Sequence, residues 1–247
     1  MKTRIIIALF SLAIIGCTVD EITSGANNVL NSGTNTEKGL TNDQVIAGLK
    51  EALVVGTGNS SSGASATDGF FKNAKIALPF PPDAIKVKEK LEGIPGMQPK
   101  IDKFVLTLNR AAEEAAKEAK PIFTNAVTSM TVQDGFAILK GNDNAATKYL
   151  EDKTSSSLYT AFKPKVASAI QKVELTKYWE PLITKYNQVT ALTGGDKINP
   201  DLEDYVTKRA MTGLFTLIAE EELKIRKDPV ARVTDILKSV FGSLDKK

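Results

Sequence analysis

Histidine is missing altogether, and cysteine and tryptophan occur once each in 247 residues. Each scarcity removes a class of chemistry. Imidazole titrates near neutrality unaided and is the commonest neutral metal ligand, so Ser-His-Asp triads, Cys-His dyads and His-ligated zinc or haem are excluded. A lone cysteine closes no intramolecular disulfide and builds no thiolate cluster. Long apolar runs are scarce too, and the prominent stretch Ile5 to Ile15 falls short of the roughly 20 residues that span a bilayer. With 42% apolar and 25% charged residues the composition is globular, and the length suits one domain or at most two.

What is present begins at the cysteine. Lys2 and Arg4 form a positive n-region, Ile5 to Ile15 an apolar h-region, and Ile14-Ile15-Gly16 the short residues that precede a cleavage point. Ile14-Ile15-Gly16-Cys17 resembles the lipobox of bacterial lipoproteins, in which the cysteine is lipidated and becomes the mature N-terminus. An ordinary signal peptide, or an uncleaved anchor with an incidental cysteine, is the alternative. The resemblance implies covalent lipid on Cys17 and the membrane as partner, and since two acyl signals already anchor stably, several chains would make the tether permanent. Thr18, in place of Asp, implies by the usual sorting rule an outer-membrane anchor, with the periplasmic face expected. Asp20 and Glu21 either resemble the acidic surface-export signals of some lipoproteins or serve solubility. Removing residues 1–16 takes away Lys2 and Arg4, which leaves 30 basic against 29 acidic residues and a net charge of +1. Lys and Arg are interspersed with acids and no basic run is interleaved with aromatics, so nucleic acid is not an expected partner.

Residues 17–39 are rich in Asn, Ser, Thr and Gly and read as a flexible tether after the signal segment 1–16. A single helical domain is expected over 40–243, followed by a charged tail at 244–247. Thr41-x-x-Gln44 is a capping box that opens a helix over 42–54. Gly56 to Gly69 reads as a mobile loop or a loosely helical stretch, because it lacks the Gly-Lys-Ser/Thr ending of a phosphate loop. Ile76-Ala-Leu-Pro-Phe-Pro-Pro is extended until Pro82 starts a helix. An apolar stripe from Ile101 to Ala119 and a short helix over 121–129 follow. Thr131-x-x-Asp134 caps 132–139, which Gly141 ends. Three short helices are expected at 145–153, 155–162 and 164–173, a long one at 202–227, and a last one at 229–241. The sum is an all-α domain, an irregular multi-helix bundle with little or no strand.

At 100° per residue, Met211, Leu214, Phe215, Ile218 and Ile225 lie within about 40° of a common direction, and Glu222 shares that arc. A buried carboxylate must be paired or protonated. Arg226 stands at i+4 in the favourable order, and Arg110, Arg209 and Arg232 are possible partners from elsewhere. Structural pairing and a ligand-lining role are both open at Glu222. Glu113, Asp134, Glu222 and Asp228 are the carboxylates whose convergence would suit Ca²⁺, Mg²⁺ or Mn²⁺, or carboxylate hydrolysis. Their spacing alone assigns no metal site and no catalytic residue. Tyr178, Trp179 and Tyr186 are the aromatics best placed to line a groove, core packing being the other reading. A cavity of several hundred Å³ beside them would mark ligand binding.

Ordered blocks then point to a family. Leu108-Asn-Arg-Ala-Ala-Glu-Glu-Ala-Ala, Asp134-Gly-Phe-Ala-Ile-Leu-Lys-Gly, Ala145-Ala-Thr-Lys-Tyr, Phe162-Lys-Pro and Tyr205-Val-Thr-Lys-Arg-Ala-Met-Thr-Gly-Leu-Phe precede Ala219-Glu-Glu-Glu-Leu-Lys-Ile-Arg-Lys-Asp-Pro. This series resembles the bacterial domain-of-unknown-function 4197 family from about Gly39 to Gly242. The resemblance implies a helical, exported, often lipid-anchored protein and carries over no catalytic residue. The expectation is a non-catalytic binding or structural module tethered to the membrane, contacting an envelope protein or a small apolar ligand, with no cofactor beyond the lipid. The alternative is a carboxylate-based hydrolase or ligand-binding protein with a pocket near Glu222.

Overall fold

The computed structural model describes residues 41–171, 174–194, 196–228, 230, 232, 238 and 242. All belong to the second of two units into which the chain divides, Leu40–Lys247. The signal segment, the tether, the helix expected at 229–241 and the charged tail lie outside the described residues, positions 230, 232 and 238 apart. Among the described residues the fold is all-α, with no strand. The helices are α1 (Asn42–Ser65), α2 (Ile85–Glu92), α3 (Gln98–Ala116), α4 (Ala119–Thr128), α5 (Val132–Lys140), α6 (Ala145–Ile170), α7 (Glu174–Thr193) and α8 (Leu202–Lys227), with a 3₁₀ turn at Pro82–Ala84 before α2.

Both expected capping boxes form. The Gln44 amide donates to Thr41 Oγ1 at 3.2 Å and the Thr41 amide to Gln44 Oε1 at 2.9 Å. Thr131 and Asp134 repeat the exchange at 3.1 and 3.0 Å. Each box satisfies N–H groups that have no intrahelical acceptor, which fixes where the helix begins.

Two segments differ in part from the sequence reading. From Gly56 the helical of the two readings holds, and α1 continues to Ser65. Its hydroxyls fold back on the preceding turn, with Thr57 Oγ1 donating to the Leu53 carbonyl at 2.6 Å, Ser60 to Gly56 at 2.9 Å and Ser61 to Thr57 at 2.7 Å. The polar atoms are thereby satisfied locally, and the small side chains permit close approach to α8. A Cβ on Gly56 would stand 3.9 Å from Glu221 Cβ. Composition that suggests flexibility here serves helix packing instead.

The three short helices expected from 145 to 173 are one, α6, which runs to Ile170 with Pro164 inside it. Its buried residues Leu150, Thr154, Leu158, Phe162, Val166 and Ile170 recur at every fourth position. Four residues turn the helix through 400°, so this row winds about 40° round the axis at each step. The winding blurs the one-sided pattern expected of a surface helix. It also matches the setting, since α6 packs against α3, α4, α5 and α8 on several sides. Thr154, a polar residue that reads as a break, is buried and donates to the Leu150 carbonyl at 2.6 Å.

The core is centred on Phe70, Phe104, Phe123 and Phe162, all fully buried. Ala111, Ala112, Ala115 and Ala116 give α3 a flat buried face that lets neighbouring helices close in. At Gly213 the approach to a buried ring is close: a Cβ would lie 2.7 Å from Phe70 Cε1 and 3.2 Å from Ile76 Cβ. Because Phe70 is fully enclosed it has nowhere to yield. Gly213→Ala should therefore cost about 1–3 kcal/mol by overpacking, read as a lower urea midpoint with unchanged slope; an unchanged or raised midpoint would show that the ring can move.

Candidate functional site

The polar residues singled out in the sequence fall into separate places. Glu222, on the apolar face of α8, is 7% exposed and none of its lone pairs is idle. Its Oε1 accepts from the Ala146 amide at 2.9 Å and from Arg226 Nε and Nη2 at 3.0 and 2.8 Å. Oε2 accepts from the Thr147 amide at 2.9 Å and the Thr147 hydroxyl at 2.8 Å. The expected i+4 pairing is present, and Arg226 adds a bond to the Ile138 carbonyl at 2.9 Å, in the last turns of α5. Ala146 and Thr147 are first-turn residues of α6, whose own N-cap Asn144 makes no side-chain cap bond. Glu222 thus caps α6 from another helix, and Arg226 satisfies an α5 carbonyl.

Arg110 and Glu113 form a second cluster on α3. Glu113 Oε1 accepts from the Phe70 and Phe71 amides at 3.2 and 3.3 Å, while Arg110 donates to Glu113 Oε2 at 2.6 Å and pairs with Asp68. Asp68, at φ 67°, holds the left-handed turn that follows α1. Lys72 and Arg110 together keep its carboxyl below the usual range. Sequence reasoning missed Asp68, whose signal is the adjacent Gly69, and also Asn109, whose amide exchanges two bonds of 2.8 Å with the Leu78 backbone. That exchange gives the extended segment after Ile76 the partner a neighbouring strand would otherwise supply.

The remaining carboxylates stand apart. Asp134 belongs to its capping box and Asp228 is an exposed C-cap that accepts from the Val230 amide at 2.9 Å. The Thr131 hydroxyl and amide bonds hold the Asp134 carboxyl below its ordinary 3.8. Arg232 donates to the Ile225 and Arg226 carbonyls at 3.0 and 2.9 Å. Among the described residues no group of three or more His, Cys, Asp or Glu could hold a metal ion.

The aromatics divide in the same way. Tyr178 lies in α7, but its side chain is outside the description, and Tyr186 packs half-buried on the core. Trp179 is 4% exposed, with ring centroids 5.4 Å from Phe104, stacked, and 5.6 Å from Phe80, edge-on. Its indole N–H is buried with no acceptor, an omission that ordinarily costs about 1–3 kcal/mol. Two clefts border this ring. The larger, about 670 Å³, is walled by polar groups such as Gln171, Lys177, Glu180 and Glu203. The smaller, about 230 Å³, lies among Pro81, Pro82, Ile198, Leu202 and Tyr205. Asn187 fixes its Ile198 wall, donating to the Ile198 carbonyl at 2.6 Å and accepting from its amide at 2.8 Å. The other buried polar atom without a partner, Thr207 Oγ1, lines neither cleft.

Two outcomes follow for the carboxylates. Glu222→Ala should lower stability by about 3–5 kcal/mol, the range for removing one partner of a buried pair, in urea unfolding, and added Mg²⁺ or Ca²⁺ should leave the melting temperatures of wild type and Glu222→Gln unchanged. Ion-dependent stabilisation of wild type alone would restore a metal reading. At Asp134 the folded pKa lies below the unfolded one, so its contribution is present above the ordinary value and lost as pH falls through the depressed one. Asp134→Asn should be destabilised relative to wild type near neutrality, and the difference should vanish in acid; a difference independent of pH would contradict the assignment.

Neither a curated protein nor a solved structure matches this chain. The family described as "Protein of unknown function (DUF4197)" matches residues 39–242, from the edge of the helical unit to beyond α8. The ordered blocks on α3, α5, α6 and α8 fall inside that span, and the chain belongs to this family.

Proposed function

We propose that this protein is an envelope lipoprotein: a non-catalytic helical binding or structural module held at a membrane by lipid on Cys17. The observation that carries the non-catalytic part is the saturation of the buried carboxylates. Glu113 and Glu222 commit both oxygens to backbone amides and to Arg110 and Arg226, an arrangement that holds the backbone in place rather than presenting a base to a substrate proton or a water. Convergence of Glu113, Asp134, Glu222 and Asp228 would have favoured hydrolysis; they serve four different local ends. The anchor rests on the sequence alone, on Ile14-Ile15-Gly16-Cys17 after a charged n-region and an apolar h-region. No helix among the described residues is long and apolar enough to cross a membrane, so within that part of the chain attachment would fall to the lipid. Outer-membrane placement with the domain on the periplasmic side is part of the same proposal and rests on Thr18.

Metabolic labelling with a fatty acid tests the anchor. Label should be incorporated into the wild-type chain and lost from Cys17→Ala, which should also shift from the membrane to the soluble fraction; persistence of label in the variant would refute lipidation at Cys17.

A further inference from the structure

Phe71 is held in place and yet left partly open to solvent. Its amide donates to Glu113 Oε1 at 3.3 Å, and the Arg110 guanidinium sits 5.8 Å from the centre of its ring, a cation–π contact that favours this ring position. A buried carboxylate and a half-buried guanidinium thus position a ring that remains 39% exposed. Ile85, the first residue of α2, is 41% exposed and lines the same cleft as Phe71, a space of about 400 Å³. Apolar side chains exposed singly need no explanation, whereas two on one concave surface do.

The rest of the lining is apolar and fixed by the core. Phe80 and Ile101 are buried members of it, and Phe80 packs on Phe104 and Trp179 with ring centroids at 5.1 and 5.6 Å. Pro79, also in the wall, carries no N–H that would need a polar partner. The polar groups of the lining are already engaged: Lys88 pairs with Glu92 at 2.9 Å, and the Gln98 side-chain amide donates to Asp102 at 2.8 Å. One cation and one carboxylate on the lining leave it without net charge. Charge therefore selects no ion here, and burial of apolar surface is what remains to recognise an occupant. Size narrows the occupant further. A stable protein interface takes about 800 Å² from each partner, far more than two partly exposed side chains around one cleft. Allowing each methylene about a water's share of space, 30 Å³, the 400 Å³ cleft covers a chain of about a dozen carbons.

We propose that this cleft binds the hydrocarbon chain of an uncharged single-chain amphiphile, the chain lying against Phe71, Phe80 and Ile85 and the head group left in water. The site rests on the binding side of the function proposed above and is independent of the anchor, so its failure leaves the Cys17 labelling result standing.

Photolabelling reads the site directly. The full chain is reconstituted in phosphatidylcholine vesicles, where no detergent competes, and irradiated with dodecanol that carries a diazirine on its chain. Peptide mapping by mass spectrometry should find saturable label on the segments that hold Phe71 and Ile85, displaced by plain dodecanol. The half-saturating concentration should rise about tenfold in Phe71→Ser, the loss of one aromatic contact. Ile85→Ser, at the exposed start of α2, is a second variant that should shift it in the same direction while keeping the wild-type melting temperature. Dodecanoate should compete no better than dodecanol, because the lining has no net charge. Leu192, which is 89% exposed but does not line this cleft, controls for exposure alone. Four results would each overturn the proposal: label no stronger at Phe71 and Ile85 than at Leu192, unchanged saturation in both variants, tighter competition by dodecanoate, or label at these segments from a phospholipid-borne diazirine in place of dodecanol. The last would mean that a bilayer, rather than a single chain, covers this face.

Discussion

A single carboxylate decides how α5, α6 and α8 fit together. The first turn of a helix carries amides with no acceptor of their own, and α6 begins without a useful N-cap. Glu222, 75 residues further along the chain, fills that need with two oxygens and holds Arg226, which satisfies an α5 carbonyl in turn. An ion pair in the interior gains little unless its remaining hydrogen-bonding capacity is used. Here it is used fully, which is why the charge is tolerated 7% exposed. The direction matters as well, since a carboxylate at a helix N-terminus is favoured by the helix dipole.

The same device recurs wherever the backbone leaves regular structure. Glu113 receives the Phe70 and Phe71 amides at the turn after α1, Asn109 receives and donates at Leu78, and Asn187 does the same at Ile198. In each case a helix lends a polar side chain to a segment that has no secondary-structure partner. This accounting explains why so many polar residues lie inside the domain without forming an active centre. The indole N–H of Trp179 and the Thr207 hydroxyl are the departures, buried without a partner among the described residues.

How much of this was legible depends on the range of the interaction. The two caps at Thr41 and Thr131, the extent of α8 from Leu202 to Lys227 and the Glu222–Arg226 pair are local, and spacing revealed them. The continuation of α1 through its Gly and Ser residues was hidden, because small side chains signal flexibility in isolation and close packing only beside α8. The unbroken α6 was hidden for a different reason: a period of four winds round the helix, so no face looks consistently apolar. At the site level the sequence placed Glu222 on an apolar face but could not say that its partners were the amides of Ala146 and Thr147. Backbone groups carry no identity in a sequence, so a carboxylate bound to them looks the same as one waiting for a metal.

The account stands on the claim that Glu222 caps α6 from across the domain, and amide hydrogen exchange reads that bond directly. First-turn amides ordinarily exchange freely, having no acceptor within their helix. The Ala146 and Thr147 amides should instead be protected to nearly the same degree as mid-helix amides of α6, and in Glu222→Gln that protection should fall at these two positions first. Rapid exchange of both amides in the wild-type protein would contradict the cap, and with it the account of how these helices are joined.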